Sequence, residues 1–317
     1  MLAIASMEFE FEVLDELYIK GGLGTLWHSV LGLALKDQSC IKGDLPCGEC
    51  ELFKLCDYTA LFKKLVQEDG TIIRAKQTVS PPHVFVADRL GERSLKRGER
   101  FSVKLNIIGT AISKASSLIR AMQQAGINGL GNRHRSCLHL LSVTLGSVTC
   151  PRSKSKIWQQ GERFDVQSVM PEIERLEIPP MPATLQLAFV SPYIPKVAPS
   201  GEIKAFNLAY FMRALMRNVS IALEVYSDQG QPAQAMGHYR QLAEDSRQLE
   251  VLHDNVSWQK TKTYSLAKQR LNDVSGWVGT LRLSPDNAQG LWPYLWLGQW
   301  LGSGKMRSQG FGQYVLF

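Results

Sequence analysis

The residues best suited to chemistry near the end of the sequence are four glycines and two cations. Gly302 and Gly304 precede Lys305 and Arg307, Gly310 and Gly312 follow them, and a short apolar stretch runs on to Phe317. Glycine admits positive φ and lets main chain approach a ligand closely. Its N–H groups can then line a phosphate while Lys305 and Arg307 add charge. This combination points to a grip on a polyphosphate or a nucleic-acid backbone. A Walker nucleotide loop is excluded by spacing, because that loop needs Gly-Lys followed by Ser or Thr, and Met306 follows Lys305. The plain alternative is a glycine-rich turn before a terminal strand. A second glycine loop, Gly126-Ile-Asn-Gly-Leu-Gly131, leads into Asn132-Arg133-His134-Arg135. The arginine charges on either side of His134 would depress its pKa. That suits it to base work, and equally to plain contact with a polyanion.

Cysteine supplies the next candidate. Four of the six cysteines, Cys40, Cys47, Cys50 and Cys56, lie close together, with the middle pair spaced as CxxC. Thiolates at that spacing can approach one tetrahedral zinc ion. With four protein ligands such a site has no open position, so the zinc would be structural. Free buried thiols are the other reading, and a redox pair fits poorly because no thioredoxin-like βαβ pattern surrounds it. Cys137 and Cys150 stand apart and read as packed thiols.

The whole chain of 317 residues is 44% hydrophobic and 21% charged, as expected of a folded protein. Its formal net charge of +7 favours a polyanionic partner. The apolar stretches Leu26–Leu35 and Leu291–Leu301 are too short to span a bilayer. No charged segment followed by an apolar core opens the sequence, so a cytoplasmic protein without a membrane partner is expected.

These residues must be positioned by regular elements. Met7–Tyr18 alternates, with Phe9, Phe11 and Val13 opposed by Glu8, Glu10 and Glu12, and predicts a half-buried strand. Gly21, Gly22 and Gly24 follow, and Thr25 is a suitable cap for a helix to about Lys36. Phe101–Ile108 predicts a second strand, Ile112–Ala125 a helix stopped by Gly126, and Leu138–Val143 a third strand. Residues 151–180, rich in proline, read as a connector with room for one hairpin. The second half repeats the theme. A strand at Thr184–Val190 precedes helices at Ala205–Val225 and Ala233–Val251. A strand at Gly276–Leu283, a helix at Leu291–Leu301 and a closing strand at Gly312–Phe317 complete it. The order of elements predicts an α+β protein of two tandem ferredoxin-like domains, residues 1–150 and 181–317, with a cysteine-cluster insertion at 40–56 in the first.

Taken together, the motifs resemble the CRISPR-associated endoribonucleases of the RAMP superfamily that process precursor CRISPR RNA. Lys20-Gly21 through Leu35 is similar to that family's first helix. The cysteine cluster with Tyr58, Leu61 and Phe62 resembles a cluster found in one branch. Pro81-Pro82-His83 through Gly109 looks like its proline-led segment and following strand. Gly126–Arg135 is similar to its internal glycine-arginine loop. Tyr264-Ser265 with Gln269 resembles a further element, and Gly298–Gly312 resembles its C-terminal glycine-rich signature.

The resemblance implies that the chain binds CRISPR repeat RNA and cleaves it to guide RNA without a catalytic metal or other cofactor. The alternative within the same superfamily is a non-catalytic protein that holds guide RNA beside other subunits of an effector complex. Metal-free cleavage uses the substrate's own 2′-hydroxyl and needs a base, an acid and positive charge. His28 on the first helix is the leading catalytic residue, with Gly24 and Gly32 one turn away on either side. Tyr18 and Lys20 would add a hydroxyl and a cation, and His134 is the rival base. RNA-binding candidates are Arg133, Arg135, Lys305, Arg307 and the glycines 302, 304, 310 and 312. The basic stretch Lys260, Lys262, Lys268 and Arg270 has Trp258 and Tyr264 interleaved, a mixture suited to single-stranded RNA. A solvated charged face is its bland reading. The other histidines, including His83, read as structural.

Overall fold

A computed structural model describes residues 2–43, 45–63, 70, 72–73, 77–88, 90–131, 135–150, 153–162, 176–196, 205–227, 239–265 and 270–317. The first half contains strands β1 (Ile4–Val13), β2 (Leu17–Lys20), β3 (His83–Phe85), β4 (Glu92–Leu95), β5 (Arg100–Ile108), β6 (Leu138–Ser147) and β7 (Lys154–Gln159). Its helices are α1 (Leu23–Ser39), α2 (Asp57–Leu61) and α3 (Ala115–Asn128). The main sheet is antiparallel in the order β3-β5-β1-β6-β7, and β2 pairs with β4 in a separate ribbon. Without β7, the strands follow the order of a ferredoxin-like βαββαβ unit, with α1 and α3 as its crossover helices.

The second half holds β8 (Leu185–Tyr193), α4 (Leu208–Tyr226), α5 (Tyr239–Gln248), β9 (Val251–Gln259), β10 (Lys262–Ser265), β11 (Arg270–Asp273), β12 (Gly276–Leu283), α6 (Trp292–Leu301) and β13 (Tyr314–Leu316). Its antiparallel sheet runs β13-β8-β12-β9, the same unit again, and β10 pairs with β11 in a hairpin. The tandem ferredoxin-like fold expected from the order of elements is therefore present.

Alternation along β1 explains both the core and the contact between halves. Met7, Phe9, Phe11 and Val13 enter the first core with Trp27, Leu31 and Leu35 of α1. Ile4, with Val84 and Ile108, joins the second core beside Phe211, Leu215 and Val219 of α4. One sheet thus contributes apolar side chains to both cores, and burial of that shared surface fixes how the halves sit.

Several local expectations need correction. Gly22, not Thr25, occupies the N-cap of α1; Thr25 lies inside the helix, buried. Helix α3 passes through Gly126 and ends at Gly129, whose φ of 89° suits only glycine. Gly126 is buried beside Phe11 and Leu138, so its role is close packing rather than termination. The stretch read as a connector contains β7, held to the first sheet by pairing with β6 and by a Lys154–Glu8 ion pair at 2.6 Å. Strand β9 and the β10–β11 hairpin have no counterpart in the sequence-based expectations. Cys150 is exposed rather than packed. Among the described residues no helix is long and apolar enough to cross a membrane.

Candidate active site and RNA interface

Close packing of glycine brings three distant segments together. Gly24, in the first turn of α1, faces the Gln309 carbonyl, and a Cβ there would collide with it. The loop that follows α6 therefore lies directly on α1, through a 3₁₀ turn at Arg307–Gln309. The same loop docks on β3. Gln313 Nε2 donates to the Phe85 carbonyl at 2.6 Å, and the Ala87 N–H donates to Gln313 Oε1 at 2.8 Å. The C-terminal loop, α1 and β3 thus form one junction, with His28 on α1 and His83 on β3.

The two histidines are bonded to each other. His83 is fully buried, and its Nδ1 lies 2.9 Å from the carbonyl oxygen of Leu61, the last residue of α2. A carbonyl only accepts, so His83 Nδ1 must carry the proton. Its Nε2 is then a bare acceptor, 3.3 Å from His28 Nδ1. His28 Nδ1 must donate across that contact, which leaves His28 Nε2 without a proton and able to take one. Phe62 stacks on His28 with ring centroids 4.6 Å apart and Tyr58 stacks on Phe62 at 5.7 Å, closing one side of the pair.

Burial keeps both imidazoles neutral. It lowers the pKa of His28 to about 3, with a further contribution from the neighbouring His83. Burial also lowers His83 to about 4, opposed by its hydrogen bond to Leu61. Neither ring is protonated near pH 7, so the bonded chain from Leu61 to His28 keeps one tautomer. His83, set aside as structural on sequence grounds, orients His28. The signal was Pro81-Pro82-His83 itself: two prolines fix the approach to a short strand that begins on a histidine.

The other candidates are disposed unevenly. Tyr18 and Lys20 lie on the outward face of β2, where Glu92 of β4 holds both, at 2.7 Å from the Tyr18 hydroxyl and 2.8 Å from Lys20 Nζ. Arg133, His134 and Lys268 fall outside the described residues. Arg135 is exposed beside the Leu130–Ser136 bridge. Lys260 and Lys262 are exposed at the β9–β10 turn, and Arg270 begins β11. Buried Thr263 packs on Gly21, which places the β10–β11 hairpin against the entry to α1. Trp258 does not stand free for a base, since it packs edge-on against Trp277 at 5.3 Å.

The C-terminal loop differs in detail from a phosphate cradle. The N–H groups of Gly302, Lys305, Gly310 and Gly312 all donate to protein carbonyls, those of Gly298, Ile194, Arg307 and Pro192 respectively. Gly312 has φ +67°, and a Cβ there would strike the Ser303 carbonyl, so its glycine serves a turn. Gly304 (φ +85°) is crowded in the same way by the Ile194 carbonyl. Lys305 is exposed, whereas Arg307 turns inward and donates to the Leu301 carbonyl at 3.1 Å and Ser80 Oγ at 2.8 Å.

The zinc expectation is not met by the arrangement. Cys40 caps the end of α1, Cys47 begins a 3₁₀ turn and Cys56 caps the start of α2. Burial raises the Tyr58 pKa, and Cys47, Cys40 and Cys56 raise it further, so these three lie on its side of the site. Yet among the described residues no three His, Cys, Asp or Glu side chains are grouped to hold a metal ion. None of the four forms a disulfide; Cys47 and Cys50 share one 3₁₀ turn, while Cys40 and Cys56 sit at the ends of α1 and α2.

Comparison with known proteins follows the same division of the chain. A family model described as the AF_1859_N N-terminal domain matches residues 2–172. The model of the CRISPR-associated endoribonuclease Cas6 matches residues 187–314, the stretch that ends in the glycine loop. Residues 187–314 thus match the CRISPR-associated endoribonuclease Cas6. With that endoribonuclease domain the chain is an RNA endonuclease. Among solved structures, a Thermus thermophilus Cas6 product complex is similar over 99% of this chain and 99% of that chain, with 14% identity and a TM-score of 0.54. A chain of a partial Cas6-RT-Cas1–Cas2 complex matches 100% of this chain over 46% of its own length, with 12% identity and a TM-score of 0.51. At such identities these likenesses establish the shared fold. No curated protein matches the sequence significantly. In this chain the glycine loop and the histidine pair meet at one junction between the two ferredoxin-like units.

Proposed function

We propose that this chain binds the repeat of precursor CRISPR RNA and cleaves it to guide RNA, using the substrate's 2′-hydroxyl and no metal ion. The observation that carries this reading is the bonded chain from Leu61 through His83 to His28 Nε2, next to the C-terminal loop. His28 Nε2 takes the proton from the 2′-hydroxyl. The 2′-oxygen bonds to phosphorus as the bond to the 5′-oxygen breaks. A proton donor completes the 5′-hydroxyl, and the other product carries a 2′,3′-cyclic phosphate. Tyr18, Lys20 and His134 are the candidates for that donor and for the charge on the phosphorane. A base of low pKa stays unprotonated but accepts weakly; an arriving phosphodiester would raise it toward the range where base catalysis works best.

RNA would reach the site across Lys260, Lys262 and Arg270 of the hairpin beside α1, and across Lys305 of the loop, with Lys268 a further candidate from the sequence. Exposed Arg135 supplies a second basic position, and Arg133 is a candidate from the sequence. The setting is cytoplasmic, with other CRISPR proteins as partners; a similar chain occurs in a Cas6-RT-Cas1–Cas2 complex. Cleavage of repeat RNA in EDTA tests the reading. Wild type is expected to cut and leave a cyclic phosphate, and His28→Ala to lose roughly 10²–10⁴ in rate. A need for added metal, or binding without cutting, would sink it.

A further inference from the structure

The four clustered cysteines take no part in RNA cleavage, yet two of them stand at the joint that sets the histidine pair. Cys40 ends α1, the helix that carries His28, and Cys56 is the N-cap of α2, whose last residue holds His83 through its carbonyl. Cys56 Sγ lies 3.8 Å from the carbonyl oxygen of Ser39, the residue before Cys40. Burial, then Cys47, Cys40 and Cys56, raise the pKa of Tyr58 in α2, so Cys40 and Cys56 lie near one ring. Both are half-buried, and the adjoining Ile41 and Leu55 are exposed, so a small solute can reach them. Cys47 and Cys50 belong to the 3₁₀ turn between the two helices.

Helix α2 connects this joint to the chemistry. It is five residues long, too short to hold its shape without its neighbours. At its start the Cys56 carbonyl accepts from Thr59 Oγ1 at 2.8 Å and from the Ala60 N–H at 3.0 Å. At its end the Leu61 carbonyl holds His83 Nδ1, and Phe62 stacks on His28. Phe62 also presses on Gly32 of α1, where a Cβ would strike its ring. Movement of Cys56 against α1 therefore reaches both histidines. The consequence is chemical as well as geometric. With the Leu61 carbonyl withdrawn, the His83 proton is no longer held on Nδ1. Carried on Nε2 instead, it would be donated to His28 Nδ1. His28 would then keep its own proton on Nε2, where it could accept none from a hydroxyl.

We propose that Cys40 and Cys56 are an oxidation site, and that their disulfide shifts α2 and releases His83 from the Leu61 carbonyl. The oxidant is hydrogen peroxide. One thiolate attacks a peroxide oxygen, an S–O bond forms as the O–O bond breaks, and the departing hydroxide takes up a proton as water. The second thiol attacks the resulting sulfenic acid at sulfur. The S–S bond forms, the S–O bond breaks, and a second water leaves. Each sulfur gives up one electron, and the two reduce one peroxide to two waters. A disulfide holds its sulfurs about 2.05 Å apart and its Cβ atoms about 3.8 Å apart. Cys56 Sγ must leave the Ser39 carbonyl to reach that geometry. The Cys47–Cys50 pair, confined to one turn, closes without moving α2 against α1. Loss of cleavage on oxidation rests on the RNA-cleaving reading above; the disulfide and the proton shift do not.

The test uses the full chain in EDTA, either reduced or treated with hydrogen peroxide. Peptide mass mapping without reductant locates the disulfide. Histidine ¹⁵N spectra of the RNA-free protein report which ring nitrogens carry protons, and single-turnover cutting of repeat RNA reports the rate. Peroxide is expected to join Cys40 to Cys56, to move the His83 proton from Nδ1 to Nε2, and to lower the rate roughly 10–100-fold. A thiol reductant should reverse all three. Cys40→Ser should keep the reduced spectrum and rate under peroxide, whereas Cys47→Ser/Cys50→Ser should still respond as wild type does. No cross-link, or one between Cys47 and Cys50 alone, overturns the proposal. So does a Cys40–Cys56 bond that leaves the spectrum, or the rate of a cutting protein, unchanged. Should Cys40→Ser not fold, Cys56→Ser is read in the same way. If reduced wild type does not cut RNA, the cleavage reading fails, while mapping and spectra still decide this proposal.

Discussion

The two halves share one topology but use their first helices differently. Helix α1 carries half-buried His28 against Phe62 and fully buried His83, where burial disfavours charge and leaves a neutral pair of imidazoles. Helix α4 carries Arg217 and Asn218 to an open cleft that Lys196 and Arg307 also line, with no carboxylate lining it among the described residues. The C-terminal loop touches both: Gln309 lies against α1 and Arg307 against the α4 cleft. The same βαββαβ frame can therefore place proton transfer in one half and charge in the other. What decides between them is burial, which favours a neutral base, against solvent access, which tolerates concentrated charge.

The contrast can be broken first by acid. A histidine whose folded pKa lies below its unfolded value binds fewer protons when native. Its stabilising neutrality is present above about pH 6.5 and is lost as pH falls toward the folded value. With folded values of about 3 for His28 and about 4 for His83, lowering pH from 7 to 5 costs about 2 kcal/mol for each. Thermal melting of wild type should show this fall, and His28→Ala/His83→Phe should flatten it. An unchanged slope in the double variant would mean that the pair is not buried as described.

A smaller effect is expected from His83 alone. His83→Phe keeps an aromatic ring but removes the acceptor for His28 Nδ1. Cleavage should fall roughly 10–100-fold, as for other residues that orient a reacting group through a hydrogen bond. RNA affinity should hold, and His83→Gln, which can both donate and accept, should recover part of the rate. Equal rates for both variants would remove His83 from any orienting role.

Gly24 tests the joint between the regions. Gly24→Ala sets a methyl against the Gln309 carbonyl, and a cost of about 1–3 kcal/mol in stability is expected from denaturant melts. An unperturbed variant would show that the loop does not press on α1. The smallest stability effect belongs to Tyr18→Phe on the exposed β2–β4 ribbon, within about 0.5 kcal/mol. A rate loss there without a stability loss would select Tyr18 over Lys20 and His134 as proton donor.

Periodicity and punctuation made much of this fold legible. Strands β1, β5, β8 and β12 alternate or run apolar, and α1, α4 and α6 follow glycine or loop breaks. Strand β9 was not legible because it lies at a sheet edge with most of its residues exposed, so no buried face imposes a pattern. The cysteine spacing did not show their arrangement, because CxxC fixes local reach only, whereas the helix ends that carry Cys40 and Cys56 set where those two lie. The place of His28 on a helix that follows a glycine run was legible in the sequence. Its partner was not, because His83 lies 55 residues away and meets it only through the packing of β3 beside α1. The cleft is a similar case: Lys196, Arg217 and Arg307 come from three segments and form no run in the sequence.

The most direct measurement is single-turnover cleavage of repeat RNA in EDTA by wild type and by folded His28→Ala, with RNA binding measured alongside. The expected result is cutting by wild type to a 2′,3′-cyclic phosphate, and a loss of roughly 10²–10⁴ in rate with affinity retained in the variant. Equal cutting by the two proteins would contradict the assignment of the reaction to the buried histidine pair.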